Sequence, residues 1–345
     1  MKGSGEEVAT DPMTRLIQIK KGNVRRVALV EEPNVRLLDN CSSIYELAHI
    51  AIAGRMKLSE VVRQRARLEA IDYNPIYNGA SEWRLLPAID HPEDSARCLI
   101  SGTGLTHLGS ARGRQSMHAT ATEDLTDSMK MFRWGVEGGR PAAGNIGIAP
   151  EWFHKGSGYA LRAHGEPLDI PSYAEDGGEE AEIAGIYLIA RDGRPYRIGM
   201  AVGNEFSDHQ FEKKNYLNLA GSKLRTCALG PELVVDAEFE SIPVAATIER
   251  GGNVHWTKTF RTGDAEMCHS LQNIEHHHFK FEGHRRPGDV HVHFFGTDCL
   301  SFSDKIRLQD GDVMQVAAEG YGRPLRNAVR IDASKPALIN VNALG

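Results

Sequence analysis

The spacing of its breakers is what most limits this chain. Thirty-five glycines and fifteen prolines are distributed through 345 residues. From residue 95 onward they cut the sequence into short apolar stretches at 97–101, 183–190, 197–203, 232–238, 243–249, 290–295 and 312–318. Short strands punctuated by Gly/Pro turns predict a mostly-β domain, a sandwich or a barrel. Only 121–135, from Ala121 to Gly135, keeps strong helical spacing in this part.

The first part of the chain reads differently. Residues 14–38 predict strands, with Leu16, Ile17 and Ile19 leading into a turn at Lys21-Gly22-Asn23 and Val27–Val30 following it. Residues 42–69 predict helix: Ser42 and Ser43 offer N-caps, Ile44, Leu47, Ala48 and Ala51 share a face, and Gly54 interrupts before a new start near Ser59. The expected class is α+β, with a small N-terminal α/β subdomain over 13–90 and a larger domain over 91–345. The opening MKGSGEEVATDP is small and polar and is read as an appended leader outside the fold.

Forty basic and 46 acidic side chains give a net charge of −6, with 41% apolar and 25% charged residues. That is a globular composition without the basic footprint of a nucleic-acid binder. No apolar run approaches the roughly 18 residues of a membrane span, and no secretory signal is present. Five scattered cysteines without a CxxC pair disfavour a disulfide scaffold and a zinc ribbon, and fit a reduced, cytoplasmic setting.

The sharpest chemical feature is Glu180-Ala181-Glu182 running into Ile183–Ile189. On a strand, residues i and i+2 share a face, so Glu180 and Glu182 project together and repel unless a cation lies between them. Oxygen ligands so arranged suit a hard divalent ion, Mg²⁺ or Mn²⁺. A third acid, Glu205, follows another predicted strand and can join them if the strands are neighbours. Lys223, in Gly221-Ser222-Lys223, is a candidate to pair with a substrate carboxylate or to act as a base. Histidines cluster at 276–278 and at His291-Val292-His293. An H-x-H on a strand keeps a cupin-type Fe²⁺ site open as an outsider. The glycines at 102, 104 and 109 do not match a dinucleotide fingerprint, and no Walker A, HExxH or GxSxG sequence occurs.

In order along the chain stand Leu85–Ile89, Gly104-Leu105, Phe153-His154-Lys155, Glu180-Ala181-Glu182, Gly203–Ser207, Ser222-Lys223, Leu229-Gly230-Pro231, Pro287–Val290, Gly296-Thr297 and Leu308–Val313. Together, over roughly residues 85–330, they resemble the fumarylacetoacetate hydrolase superfamily. The resemblance implies a C-terminal mixed β-sandwich roll of that type and a homodimer. It further implies Mg²⁺ (or Mn²⁺) held by Glu180, Glu182 and Glu205, the last standing where Asp is commoner. It places Lys223 at the active-site lysine and Gly296-Thr297 at the loop that binds the substrate carboxylate.

One departure is informative. Ser110 stands where the hydrolases of that superfamily carry the histidine of a water-activating His–Glu pair. A serine has no useful basicity near neutral pH. The chain is therefore similar to the branch that dehydrates 2-keto-3-deoxy sugar acids, and the expected substrate is a 2-keto-3-deoxy-pentonate. In that reading Lys223, its proton affinity lowered by a nearby cation and apolar walls, takes the C3 proton, Glu151 relays a proton to the leaving hydroxyl, Ser110 and His107 bind sugar hydroxyls or the leaving water, and Lys155 either assists substrate binding or packs and pairs with an acid. The alternatives are an acylpyruvate or 2,4-diketo sugar-acid hydrolase, an isomerase or decarboxylase at the same site, and a non-catalytic 2-keto-acid-binding protein.

Overall fold

The computed structural model describes residues 13–118 and 126–345, so the leader and the expected start of the 121–135 helix lie outside the described residues. Alternating apolar positions build the first sheet edge: β1 (Arg15–Lys21), β2 (Val24–Glu31) and β3 (Asn34–Leu38) form a meander. Ser43 then caps α1 (Ile44–Gly54) by accepting the Glu46 amide. That helix buries Ile44, Leu47, Ala48 and Ala51, the face read from spacing. Arg55 ends it in the left-handed conformation, and α2 (Leu58–Arg65) follows.

The helical reading of 42–69 fails at its end. Residues 66–72 form β4 (Ala66–Asp72), which pairs with β3 through an exposed stretch carrying Leu68 at the sheet edge. The partner strand's open hydrogen bonds, rather than any apolar face, decide that conformation. A short α3 (Tyr73–Tyr77) and β5 (Arg84–Leu85) complete this part.

Next come β6 (Cys98–Gly104), α4 (Leu108–His118), α5 (Asp127–Gly138), β7 (Glu151–Ser157), β8 (Leu161–Arg162) and β9 (Leu168–Ile170). The central hairpin is β10 (Ala181–Ile189) and β11 (Pro195–Asn204). Two short helices, α6 (His209–Lys214) and α7 (Leu219–Lys223), precede β12 (Cys227–Leu229) and β13 (Leu233–Val234). The expected strand 232–238 is thus realised over two residues only, since Asp236 turns the chain with φ 55°. The remainder is β14 (Ile242–Arg250), β15 (Asn253–Thr262), α8 (Leu271–Phe279), β16 (Val290–Phe294), β17 (Val313–Ala318) and β18 (Leu325–Ile331).

The larger sheet runs β4-β3-β2-β1-β13-β11-β10-β16-β6-β7, with β5, β8 and β12 attached at its flanks; the smaller runs β15-β14-β17-β18-β9. The architecture is therefore mixed α/β and strand-dominated. The larger sheet is continuous across residue 90, because Arg15 and Leu16 pair with Val234 and Leu233. All nine residues of β10 are buried, as a strand covered on both faces requires. One face packs on the smaller sheet through Ile183, Tyr187 and Ile189. The other packs through Ala184, Ile186 and Leu188 on a layer that includes α1 and α2. No described helix is long and apolar enough to cross a membrane.

The two-histidine strand is resolved as packing. His291 and His293 do share a face of β16, as expected, but their partners are protein groups. His293 bonds Ser101 Oγ (2.8 Å) and Thr103 Oγ1 (2.7 Å), and His278 Nε2 lies 2.9 Å from His291 Nδ1. Trp152 Nε1 donates to His278 Nδ1 (3.2 Å). With three of their four ring nitrogens so used, His291 and His293 do not form the open Fe²⁺ site of the outsider reading.

Burial holds His291 and His293 at about 3 and lowers His278 well below the ordinary histidine value. Among the described residues no carboxylate bonds these three rings. In the unfolded chain they titrate near 6.5, so the unfolded state binds more protons below that pH. Stability is complete above about pH 6.5 and is lost as pH falls, by roughly 1.4 kcal/mol per pH unit for each histidine. Thermal melts between pH 7.5 and 4.5 are expected to fall steeply below 6.5. An unchanged melting temperature down to pH 5 contradicts this assignment of neutral rings.

Candidate active site

The pairing of β10 with β11 assembles the acids. Ala181 faces Asn204 and Glu182 faces Gly203 across the ladder, and one step beyond it the Glu205 amide donates to the Glu180 carbonyl (2.9 Å). Asn204 Oδ1 accepts the amides of Glu180 and Phe206, both at 3.2 Å, which fixes the strand ends. Phe206 has φ 21° and Leu105, on the opposite wall, φ 55°. Strained backbone of this kind persists where the surroundings over-determine it, often at functional sites.

Carboxylate oxygens of Glu180, Glu182 and Glu205 come within 4.8 Å of one another, all three residues buried. Lys223, ending α7, inserts its ammonium 2.5 Å from Glu180 Oε1 and 2.5 Å from Glu205 Oε2. Its position is set by a buried brace. Asp208 accepts the Phe211 and Glu175 amides and pairs with Arg225 at 2.9 Å, while its own amide donates to the Ser222 carbonyl. Lys223 also lies 4.6 Å from the centre of the Phe153 ring. Around these groups Gly104, Leu105, Ser110, His209, Glu212, Gly296, Thr297 and Leu300 line a partly open pocket. Grooves of 540 Å³ and more lie elsewhere on the molecule, without a carboxylate cluster among the described residues.

The oxygens are unequally occupied. Glu180 Oε1 accepts from Lys223 and lies 3.0 Å from His209 Nε2. Glu182 Oε2 accepts the Gly296 amide at 2.6 Å. Glu205 Oε2 accepts from Lys223 and from Ser207 (3.1 Å). Lys155 Nζ is 2.7 Å from Glu205 Oε1, but it directs its hydrogen bonds to the carbonyls of Phe206 (2.6 Å) and Lys223 (2.9 Å). That contact is an ion pair, and Glu205 Oε1 is left buried with no hydrogen bond. Among the described residues, Glu180 and Glu182 each accept hydrogen bonds at one carboxylate oxygen only, whereas both oxygens of Glu205 lie against an ammonium, Lys223 at Oε2 and Lys155 at Oε1. Three clustered carboxylates, two of them with an uncommitted oxygen, make the all-oxygen donor set that Mg²⁺ or Mn²⁺ takes. The residues present fit the ion.

The sequence-derived residues fall into three groups. Glu180, Glu182, Lys223, Ser110, Gly296 and Thr297 line the cavity, and Glu205, fully buried, adjoins them through Lys223. Glu151 stands immediately behind it: Tyr216 Oη donates to its Oε2 (2.8 Å), and its Oε1 occupies the space that a Cβ at Gly104 would need, 1.9 Å away. His107 is placed otherwise than expected, and Lys155 takes the acid-pairing alternative. His107 bonds Thr106 Oγ1 (2.9 Å) and Thr262 Oγ1 (3.1 Å) through its two ring nitrogens, and burial lowers it to about 4, so it is a neutral strut off the cavity wall. Lys155 is 1% exposed and committed to Glu205 and two carbonyls, so it orients Glu205 and the Lys223 backbone. Gly296 likewise donates its amide to Glu182. The expected lowering of Lys223 is also reversed. Burial alone would lower it, but the charges of Glu180, Glu205 and Glu212 raise it above the ordinary lysine value.

Sequence reasoning missed His209 and Glu212, which begin and line α6 beside the cavity. The only local signal is a histidine four residues after Glu205. Its partner, Glu180, is 29 residues away and becomes a neighbour only through the β10–β11 pairing.

No family model and no curated protein matches the sequence. Solved structures do match. A 2-keto-3-deoxy-D-arabinonate dehydratase complexed with magnesium and 2,5-dioxopentanoate superposes with TM-score 0.68 at 18% identity, covering 93% of this chain and 100% of that one. A fumarylacetoacetate hydrolase from Exiguobacterium antarcticum gives TM-score 0.58 at 15% identity over 92% and 100%. The fold is that of the fumarylacetoacetate hydrolase superfamily. A 5-carboxymethyl-2-hydroxymuconate delta-isomerase from Mycobacterium smegmatis shares it as well, with TM-score 0.54 at 17% identity over 93% and 100%. Within this superfamily fold, the family-derived positions of the three acids and Lys223 coincide with the cluster the geometry brings together.

Protonation of the acids is coupled to loading. Burial and the charges of Glu180 and Glu205 raise Glu182 well above the carboxylate range. Burial, with the charge of Glu180, raises Glu205 to about 7 despite both lysines. Burial would raise Glu180 too, but Lys223 and His209 hold it well below. A cation must displace the protons on Glu182 and Glu205, so affinity falls as pH drops through 7. Calorimetric titration with Mg²⁺ at pH 7 is expected to release protons, seen as a heat that depends on buffer ionisation enthalpy. A buffer-independent heat contradicts the assignment.

Proposed function

We propose that the protein is a divalent-cation-dependent hydro-lyase acting on a 2-keto-3-deoxy-pentonate, forming 2,5-dioxopentanoate and water. The observation that carries this reading is the trio of buried acids, with oxygens within 4.8 Å of one another, held by two buried lysines of which Lys223 faces the cavity. Ser110 at the cavity supports elimination over hydrolysis, because its hydroxyl donates to the His107 carbonyl (2.9 Å) and supplies no base for water. The superposed dehydratase is complexed with magnesium and 2,5-dioxopentanoate, which is consistent with it.

Glu180, Glu182 and Glu205 would hold a divalent ion, which would supply Lewis acidity to a 2-keto acid and so make its C3 hydrogens acidic. Lys223 is the proton carrier on the cavity wall, and we assign the C3 proton to it. To take that proton the amine must first be free of the one that Glu180 and Glu205 hold on it. Glu151, hydrogen-bonded by Tyr216, delivers a proton to the departing C4 hydroxyl, so the C4–O bond breaks and water leaves. A proton then moves from C5 to C3, and the resulting C5 enol tautomerises to the aldehyde. Thr297 and Ser110 line the cavity with hydroxyls that donate to the carbonyls of Cys299 (3.1 Å) and His107 (2.9 Å), so each offers the substrate an acceptor oxygen.

Hydrolysis of an acylpyruvate is the second reading, favoured by the His209–Glu180 pair in the cavity wall, which has the composition of a water-activating couple. The oxygen of Glu180 that His209 approaches is shared with Lys223, which ties that pair to the cation-binding acids instead.

Purified protein with Mg²⁺ and a panel of 2-keto-3-deoxy-pentonates, hexonates and 2,4-diketo analogues separates the two by product mass. A product lighter by one water is the expected result; pyruvate plus a second acid establishes hydrolysis. Lys223→Ala should leave the cation bound and slow turnover by about 10²–10⁴-fold, the usual worth of a positioned acid–base group. Glu180→Ala should lose cation binding and turnover together. Full Mg²⁺-dependent turnover in either variant overturns that residue's role.

A further inference from the structure

Resting on that reading, we infer that His209 is a positioning residue that holds Glu180 in its cation-binding orientation independently of Lys223. Two donors meet Glu180 Oε1, and they are not equivalent. Lys223 divides its ammonium between Glu180 and Glu205, so its position is set by two acids at once. Among the described residues, His209 hydrogen-bonds Glu180 alone. Its Nε2 is 3.0 Å from Oε1, its ring is 2% exposed, and it packs at 5.3 Å from the Phe302 ring.

The surroundings leave the ring little freedom. It starts α6, whose N-cap Asp208 is fixed by Phe211, Glu175 and Arg225. Gly178 and Ser207 exchange both backbone hydrogen bonds (2.8 and 3.0 Å) and so clamp the chain on either side of the site. Gly178 presses against the imidazole so closely that a Cβ there would lie 2.3 Å from Nδ1. That nitrogen is buried and has no hydrogen-bond partner. Among the described residues, the ring's one hydrogen bond is with Glu180. Groups that orient a cation's ligands from behind are commonly worth 10–100-fold in affinity.

The experiment measures Mg²⁺ binding by calorimetry in the absence of substrate, together with the melting temperature of the cation-free protein, for wild type and three variants. His209→Leu removes the donor and should weaken Mg²⁺ binding about 10–100-fold. His209→Gln restores an N–H donor and should recover part of the loss. Gly178→Ala keeps the histidine but displaces it and should weaken binding in the same direction, which guards against a leucine variant that fails to fold. Mg²⁺ affinity equal to wild type in folded His209→Leu or Gly178→Ala overturns the inference, as does a lowered melting temperature with unchanged affinity. Wild-type protein that binds no Mg²⁺ overturns the proposed function itself, and this inference with it.

Discussion

Five ionisable groups, Glu180, Glu182, Glu205, Lys155 and Lys223, are buried together at the ends of two adjacent strands, and the surrounding structure is organised to make that tolerable. Taking a charge out of water costs several kcal/mol unless partners replace the lost hydration. Here the partners come from well-separated parts of the chain: Gly296 after β16, Ser207 and His209 around α6, and the carbonyls of Phe206 and Lys223 that receive Lys155. Three negative charges against two fixed ammonium groups leave an imbalance. The protein meets it without a cation by keeping Glu182 protonated and lifting Glu205 to about 7.

Much of the site was readable before the fold was known, and the reason is geometric. Glu180 and Glu182 are two residues apart on a strand, so their common face follows from the period of two. Glu205 needed one further step, that consecutive strands tend to pair. Lys223 and Gly296 came from ordered resemblance to a superfamily, not from spacing. What stayed hidden were contacts between segments far apart in sequence, of which His209–Glu180 is the clearest. The direction of the Lys223 shift was also hidden, because it depends on which charges stand within a few ångströms of it.

The fold was legible in its centre and less so at its margins. Strands covered on both sides, such as β10 and β16, announce themselves as apolar runs. Edge strands do not: β4 is exposed along most of its length and β15 nearly so, so their sequences carry no buried face to read. The histidines of β16 show the converse case. Their alternation placed both rings correctly on one side, but the rings serve a dry hydrogen-bonded layer with Ser101, Thr103 and His278, a use that residue type alone does not distinguish from metal ligation.

The absence of a side chain at residue 104 has a wider meaning. Glu151 places its carboxylate in the volume that even a single methyl group there would fill. Position 104 therefore works as a size filter on Glu151: glycine admits its carboxylate, and any larger residue must move it. The glycine and the acid behind it form one unit whose two members can vary only together.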